Sequence, residues 1–326
     1  MKYDVIVIGG GPAGLSAAIE AKKKSLSVIV LDKGSIVNSI QSFPTGMIFF
    51  STVELLEIAG VPFIASGLHP TRAEAINYYA RVAKSHGVDF KGNHLALSVK
   101  RDMTQTACFK IEIKNTVTSR LSFVAADRVV VATGFYDNPN RLNVPGETLP
   151  NVSHYYKEPG IHFGQNVVII GGKNSAVEAA LDLYRHGVRV TLIHRGESIG
   201  KNVKYWILPD LENRVKNGEI MAHFKSRVMK IKPDKVVFEK SGRREELAVD
   251  FVYALTGYHP DVSFLKGMGI EVDEATGIPQ HDPLTFESNV GGIFLAGSVV
   301  AGYDSNKIFI ENGREHGKII ASGLMK

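Results

Sequence analysis

The chain has 326 residues, enough for two domains with substantial cores. Its hydrophobic share of 44% and charged share of 22% are ordinary for a globular protein, and no apolar run approaches the roughly 20 residues that cross a bilayer. The net charge of +5 is modest and spread along the chain, so we expect anionic cofactors rather than a nucleic-acid or membrane partner.

A dinucleotide-binding unit is predicted at the start of the chain. Residues 3–8 form an apolar run typical of a buried strand, and GGGPAG, the helical LSAAIEAKKK and the strand SVIVL follow. Glycines let the backbone approach a pyrophosphate at the helix N-terminus, and an acid after the second strand accepts hydrogen bonds from a ribose diol. This order predicts an FAD site. Its residues are Gly9, Gly11, Pro12, Ala13, Gly14, Asp32 and Lys33.

A β-rich passage, residues 108–134, predicts a meander that returns to a buried strand ending at Thr133-Gly134. Cys108, the only cysteine, lies in this passage, where the alternating pattern favours a small buried hydrophobe. One cysteine excludes an intrachain disulfide and a CxxC pair. No nucleophile, metal cluster or acid–base pair stands out elsewhere, so the sequence assigns no catalytic residue and no metal.

The stretch VVIIGGKNSA, residues 167–176, predicts a second nucleotide unit with a looser glycine pattern. His194 stands as far beyond Gly171 as Asp32 stands beyond Gly9, and Arg195 follows it. A carboxylate would repel a 2′-phosphate, whereas His194 and Arg195 can hold one, which favours NADPH. The alternative for Arg195 is an ordinary surface charge. The predicted NADPH residues are Gly171, Gly172, Lys173, Asn174, Ser175, Ala176, His194, Arg195 and Lys201.

Two such units predict an α/β protein with two Rossmann-like three-layer domains. The simplest arrangement is an FAD domain split between residues 1–155 and 258–326, with an NADPH domain at 156–257 inserted into it. Since MKYDVIVIGGG leads directly into the first motif, with no cleavage site, we expect no signal peptide and a cytoplasmic protein.

The order of these motifs resembles the thioredoxin-reductase-like group of pyridine-nucleotide flavoproteins over nearly the whole chain. Within the group it is most similar to the bacillithiol-disulfide reductase (YpdA) family, through residues 38–58, 169–181 and 301–317. The resemblance implies a homodimer and further FAD residues. These are Asn38, Ser39, Ile40, Thr45, Thr133, Gly134, Gly297 and Ser298, with Gly297 at the start of a C-terminal helix. Without the resemblance, NSI reads equally well as a polar turn and IFFS as a core strand.

The sequence departs from the resembling group at three places. The reductase dithiol is missing, which fits the bacillithiol-disulfide branch. The common Gly-Asp near the C-terminus is Gly297-Ser298, and Ala13 replaces a cysteine that members of the branch often carry. A mechanism through that thiol is therefore absent here.

The resemblance implies an NADPH-dependent FAD oxidoreductase that reduces a low-molecular-weight disulfide such as bacillithiol disulfide. Two alternatives remain: a ferredoxin/flavodoxin–NADP reductase and a flavin-based redox sensor with little turnover. Among the unassigned histidines, His316 draws interest because it lies in the stretch that carries the resemblance.

Overall fold

The computed structural model describes residues 2–102, 108–200, 203–304 and 306–325, with only the backbone at residue 108. The chain divides into two compact units. The first unit comprises Met1–Ser42, Gly46–Asn138 and Tyr258–Lys326, and the second comprises Phe43–Thr45 and Pro139–Gly257. Among the described residues, no helix is long and apolar enough to cross a membrane.

The first unit is built on a seven-stranded sheet with the order β3-β2-β1-β6-β5-β4, in which β15 also pairs with β6. Its strands are β1 (Lys2–Ile8), β2 (Val28–Leu31), β3 (Asp89–Lys91), β4 (His94–Asp102), β5 (Cys108–Asn115), β6 (Leu121–Val131) and β15 (Ile293–Leu295). Its helices are α1 (Pro12–Lys23), α2 (Asn38–Gln41), α3 (Val53–Leu56), α4 (Arg72–Ser85), α7 (Val262–Gly267), α8 (Ile310–Gly313) and α9 (His316–Gly323).

Alternation along the central strands creates two apolar layers in this unit. Val5 and Val7 of β1 pack with alanines of α1 and with Ile320 of α9. Ile6 and Ile8 face the other way, into a cluster with apolar residues of β4, β5 and β6. Because both faces of β1 are covered over residues 5–8, this part of the strand is an unbroken apolar run, as in buried parallel strands.

The parallel strands of the first unit end level with one another. Ile8 at the end of β1 pairs with Leu31 of β2 and with Val131 of β6, and Val131 also pairs with Leu295 of β15. The segments that follow these strands, starting at Gly9, Asp32, Ala132 and Ala296, therefore leave one edge of the sheet. This carboxyl edge is where open parallel sheets bind ligands.

The second unit repeats the design. A five-stranded sheet with the order β10-β9-β8-β14-β7 lies beside a three-stranded antiparallel sheet, β11-β12-β13. Its strands are β7 (Val152–Ser153), β8 (Asn166–Ile170), β9 (Arg189–Ile193), β10 (Met221–His223), β11 (Ser226–Ile231), β12 (Lys235–Lys240), β13 (Arg243–Ala248) and β14 (Phe251–Ala254). Its helices are α5 (Asn174–Arg185) and α6 (Leu208–Lys216).

The two faces of this parallel sheet are covered differently. Val167 and Ile169 of β8 pack with apolar residues of α5, while Val168 and Ile170 pack with strands of the antiparallel sheet. Each unit thus has helices on one face of a parallel sheet and antiparallel strands on the other. The predicted α/β class with two three-layer units is confirmed.

Two expected boundaries differ from the structure. The chain enters the second unit at Pro139, not at residue 156, because β7 (Val152–Ser153) pairs in parallel with β14 of that unit's sheet. The expected C-terminal helix does not begin at Gly297. A short 3-10 turn, Gly297–Ala301, follows β15, and the helical stretch is divided into α8 and α9.

The helices α1 and α9 cross closely because Gly317 has no side chain. A Cβ at this position would lie 2.5 Å from Ser16 Oγ and 2.6 Å from the backbone nitrogen of Ala17. The Ser16 hydroxyl donates to the carbonyl of Arg314 at 2.6 Å, so it cannot move away without losing this bond. This close crossing therefore requires a glycine at position 317 of α9.

We therefore expect Gly317→Ala to destabilise the protein, although alanine is the better helix former. The gain in helix propensity is about 1 kcal/mol, while overpacking against backbone costs about 1–3 kcal/mol. Urea unfolding followed by circular dichroism measures the net change in the free energy of unfolding. The control Ser322→Ala, at an exposed position of the same helix, should stay within about 0.5 kcal/mol of the parent. A more stable Gly317→Ala variant would contradict this packing.

Candidate dinucleotide-binding sites

The glycines of the first loop have separate tasks. Gly9 has φ +110°, and a Cβ there would lie 2.3 Å from the carbonyl oxygen of Ala132. A Cβ on Gly14 would lie 2.0 Å from the Gly9 carbonyl oxygen, so both glycines allow close packing of the backbone. At Gly11, which precedes α1, a Cβ would meet nothing within 4 Å. The space beside the N-terminus of α1 is open, as a pyrophosphate site requires.

Asp32 closes the loop at the end of β2. Its Oδ2 accepts the N–H of Gly10 at 2.7 Å, and its Oδ1 accepts the N–H of Gly34 at 2.9 Å. Burial raises the pKa of Asp32, against the lowering effect of these two donors. Each carboxylate oxygen has a second lone pair, so the side chain that holds the loop can also accept from a ribose hydroxyl.

The helix α2 carries the predicted Asn38, Ser39 and Ile40, and backbone contacts attach it to the first loop. Val37, before the helix, has φ +47° and donates its N–H to the carbonyl of Gly10 at 3.0 Å. The Asn38 side chain lies against Gly34, where a Cβ would come within 2.1 Å of Asn38 Oδ1. NSI is thus a short helix, and the alternative of a core strand at IFFS is wrong.

Arg72 of α4 was not predicted as part of this region, yet it holds the far end of α2. Its Nε donates to the carbonyl of Ile40 at 3.0 Å, and its Nη2 donates to the carbonyl of Gln41. A four-residue helix leaves its last carbonyls without the regular donor four residues later, and Arg72 supplies side-chain donors to two of them. An arginine on a distant helix gives no local signal, because its role depends on tertiary contacts.

Two further segments meet the start of α1 at the same carboxyl edge. Gly297 has φ +74°, and a Cβ there would lie 2.7 Å from the Cβ of Ala13. Gly134 has φ +66°, and a Cβ on it would lie 3.5 Å from Ser298 Oγ. The structure therefore brings Ala13, Gly134, Gly297 and Ser298 together, with Thr133 adjoining in the chain and Pro12 opening α1.

Two of the predicted FAD residues have other partners in the structure. The Lys33 ammonium pairs with Asp137 at 2.9 Å, so its charge is already engaged. Thr45 belongs to the short segment Phe43–Thr45 of the second unit, and its N–H donates to the carbonyl of Lys157 at 2.8 Å. Thr45 therefore counts with the second unit, and its place in the FAD site stays a prediction.

The second loop packs against a histidine ring, where the first loop bonds to an aspartate. A Cβ on Gly171 would lie 2.4 Å from the Leu255 carbonyl oxygen and 3.0 Å from the Cβ of Ala176, so this glycine joins loop, helix and sheet. A Cβ on Gly172 would lie 2.4 Å from the His194 ring. The imidazole of His194 therefore packs against the second loop at the position that Asp32 occupies beside the first loop.

Charge in this second site is carried by residues around that ring. Burial and the adjacent Arg195 lower the pKa of His194, so its ring is neutral at physiological pH, whereas Arg195 is exposed. Lys173 and Ser175 are exposed at the start of α5, and Asn174 Oδ1 accepts the N–H of Lys204. Lys201 lies outside the described residues. The residues present fit an anionic phosphate beside Arg195.

Two glycine-rich loops, each at the carboxyl edge of a parallel sheet, define a protein with two dinucleotide sites. The chain belongs to the pyridine nucleotide-disulphide oxidoreductase family, whose model matches residues 6–297. It is 45% identical over 323 residues to the bacilliredoxin reductase Bdr of Bacillus subtilis, covering 98% of this chain and 97% of the relative.

Two solved structures, both titled bacillithiol disulfide reductase Bdr (YpdA), are similar over the whole chain. The one from Bacillus cereus has a TM-score of 0.96 at 44% identity, covering 99% of each chain. The one from Staphylococcus aureus has a TM-score of 0.93 at 40% identity, covering 100% of this chain and 98% of the other. The protein is an NADPH-dependent flavoprotein oxidoreductase that uses FAD, which confirms the predicted cofactors and enzyme class.

We expect Gly11→Val to fold normally and to lose its flavin. The new side chain meets open space in the chain itself but occupies the region that a pyrophosphate would fill. Absorbance of the purified protein reports the FAD content, and thermal unfolding of the apoprotein reports the fold. Gly67→Val, at a second position where a Cβ meets nothing within 4 Å, should keep its FAD. Full flavin content in Gly11→Val would refute the assignment of this loop.

We expect Arg195→Ala to weaken NADPH binding by about tenfold to a hundredfold, since a hydrogen bond to a charged group contributes roughly 1.5–3 kcal/mol. NADH lacks the 2′-phosphate, so its binding should change little. Titration of both nucleotides against the variant measures the difference. Arg185→Ala removes an exposed arginine that pairs with Asp210 and should leave both affinities unchanged. An equal loss for NADPH and NADH in Arg195→Ala would contradict the assignment.

Proposed function

We propose that the chain passes electrons from NADPH through FAD to a low-molecular-weight disulfide, with bacillithiol disulfide as the first candidate. In the balanced reaction, NADPH, the disulfide and one proton give NADP⁺ and two thiols. The observation that carries the proposal is the extended similarity to proteins titled bacillithiol disulfide reductase, in a chain with one cysteine. We further propose that it acts as a homodimer in the cytoplasm.

In this proposal the first unit holds FAD. The N-terminus of α1 and the open face of Gly11 would hold the pyrophosphate, and Asp32 would accept from the ribose. The segments at Thr133-Gly134 and Gly297-Ser298 adjoin Ala13 and would bound the rest of the cofactor. When bound, FAD accepts a hydride equivalent from NADPH and supplies two electrons to the acceptor.

The second unit holds NADPH in the same proposal. The N-terminus of α5, behind Gly171 and Gly172, would receive the pyrophosphate. Arg195 would bind the 2′-phosphate as a fixed cation, and neutral His194 would donate a hydrogen bond from its ring. Lys201, which lies outside the described residues, stays a proposed member of this site.

Electrons cannot pass through a dithiol of this chain. Cys108 is its only sulfur nucleophile, and Ala13 offers no thiol for a mixed disulfide. The acceptor must therefore take electrons from the reduced flavin directly. The departing thiolate of the substrate needs a proton, which solvent can supply. Ferredoxin, or a protein disulfide such as that of a bacilliredoxin, would also accept electrons without a dithiol relay.

Stopped-flow reoxidation of the NADPH-reduced protein separates these acceptors. We expect bacillithiol disulfide to reoxidise the flavin faster than glutathione disulfide, oxidised bacilliredoxin, ferredoxin, a quinone or oxygen. Cys108→Ser should show near-normal reduction and reoxidation, because Cys108 has no partner thiol in the chain. Faster reoxidation by ferredoxin, or by bacilliredoxin, would replace the proposed acceptor. Loss of reoxidation in Cys108→Ser with reduction intact would show that Cys108 carries electrons.

A further inference from the structure

His316, at the first residue of α9, is buried and bonded to the backbone of a flavin-site segment. Its side chain is 6% exposed, and its Nδ1 accepts the N–H of Gly297 at 3.1 Å. Because the backbone N–H can only donate, Nδ1 carries no proton and the neutral ring holds its proton on Nε2. The histidine thus acts as an acceptor for a residue at the carboxyl edge of the first sheet.

The ring of His316 is held in place by a stack. Phe286 lies on it with 4.0 Å between the ring centroids and 20° between the planes. His281 also stacks with Phe286, with 5.8 Å between the ring centroids and 12° between the planes. Burial and, to a lesser degree, His281 lower the pKa of His316 to about 4. The ring therefore stays neutral near pH 7, and Nδ1 remains an acceptor.

Phe286 reaches this position in an unfavourable backbone conformation. Its φ is +59°, a value that costs free energy in a bulky residue. Two backbone bonds maintain it: its N–H donates to the Asp282 carbonyl at 2.7 Å, and its carbonyl accepts the N–H of Leu295 at 2.9 Å. Leu295 is the last residue of β15. The aromatic ring is thus fixed to the same strand that leads to Gly297.

Close packing restricts Gly297 in addition to this hydrogen bond. A Cβ on it would lie 2.7 Å from the Cβ of Ala13 in α1, and a Cβ on Gly313 of α8 would lie 3.2 Å from the Cα of Gly297. The residue is confined between two helices, and its N–H points to His316. This N–H belongs to the Ala296–Gly297 peptide, so the bond to His316 fixes the chain where β15 leads into the turn that carries Ser298.

We propose that His316 is a positioning residue for the flavin, which fixes the Gly297–Ser298 turn against Ala13 by accepting the Gly297 N–H. The inference rests on the proposed placement of FAD at this edge of the first unit. His316 does not touch the reacting atoms; it acts through the turn. Without this acceptor, the buried N–H of Gly297 loses its hydrogen bond to His316, which costs free energy. The turn would then relax away from the geometry that fits the cofactor.

Three variants separate the hydrogen bond from the packing. His316→Phe keeps an aromatic ring for the stack and removes the acceptor. His316→Asn removes the ring and keeps an acceptor near the position of Nδ1. His281→Phe, the matched control, replaces a histidine in the same stack whose Nδ1 bonds to the carbonyl of Pro279 at 2.7 Å. For each variant we measure the dissociation constant of FAD, the visible absorption spectrum of the bound flavin and the thermal unfolding of the apoprotein.

We expect His316→Phe to weaken FAD binding by about tenfold, the effect of one unsatisfied buried donor, and to shift the flavin absorption bands. His316→Asn should recover most of the affinity and the parent spectrum, and His281→Phe should match the parent. Parent-like FAD binding and spectrum in His316→Phe would overturn the proposal. So would equal losses in His316→Phe and His316→Asn, since an acceptor at this position would then recover nothing.

Failure of the proposed FAD site gives a different pattern. Gly11→Val would then keep its flavin, and both proposals would fall. If only the role of His316 is wrong, Gly11→Val loses its flavin while His316→Phe binds FAD as the parent does.

Discussion

The first dinucleotide site depends on one buried carboxylate. Asp32 receives the N–H groups of Gly10 and Gly34, and so joins the loop after β1 to the segment after β2. A charged group at 9% exposure is unfavourable unless donors surround it. The two N–H groups offset part of this cost, and ribose hydroxyls would offset more. The carboxylate thereby stabilises the fold, and in the proposed FAD site it would also select an adenosine with free hydroxyls.

The second unit has the same order of parallel strands, but no carboxylate stands at the position that corresponds to Asp32. Ile170 of β8 pairs with Ile193 of β9, as Ile8 pairs with Leu31 in the first unit. The next residue is His194, whose ring occupies the space over Gly172. A neutral ring with an exposed arginine beside it tolerates a phosphate that a carboxylate would repel. The same fold thus occurs twice, and in our proposal the residue after the second strand, Asp32 or His194, distinguishes the two ligands.

Features that are encoded in a short, contiguous stretch of sequence could be predicted. Both glycine loops, their helices and the strands around them were confirmed because each is a contiguous pattern with a fixed period. The bonds from Arg72 to α2, the fit of Gly34 against Asn38 and the break between α8 and α9 were not predicted. Each depends on residues distant in the chain, and a periodic pattern gives no information about such partners. The assignment of the segment Phe43–Thr45 to the second unit was not predicted, for the same reason.

The chemistry follows from two cofactor sites in a chain that has one cysteine. The account requires that bound FAD be the only group in the protein that stores electrons between NADPH and the acceptor. An anaerobic titration of the FAD-loaded protein with dithionite, followed by flavin absorbance, tests this requirement most directly. The account predicts complete reduction after about two electrons per FAD. Uptake of about three electrons per FAD would reveal a second redox group, such as a disulfide between the single cysteines of two chains, which takes two electrons for every two FAD. That result would contradict direct transfer from the flavin.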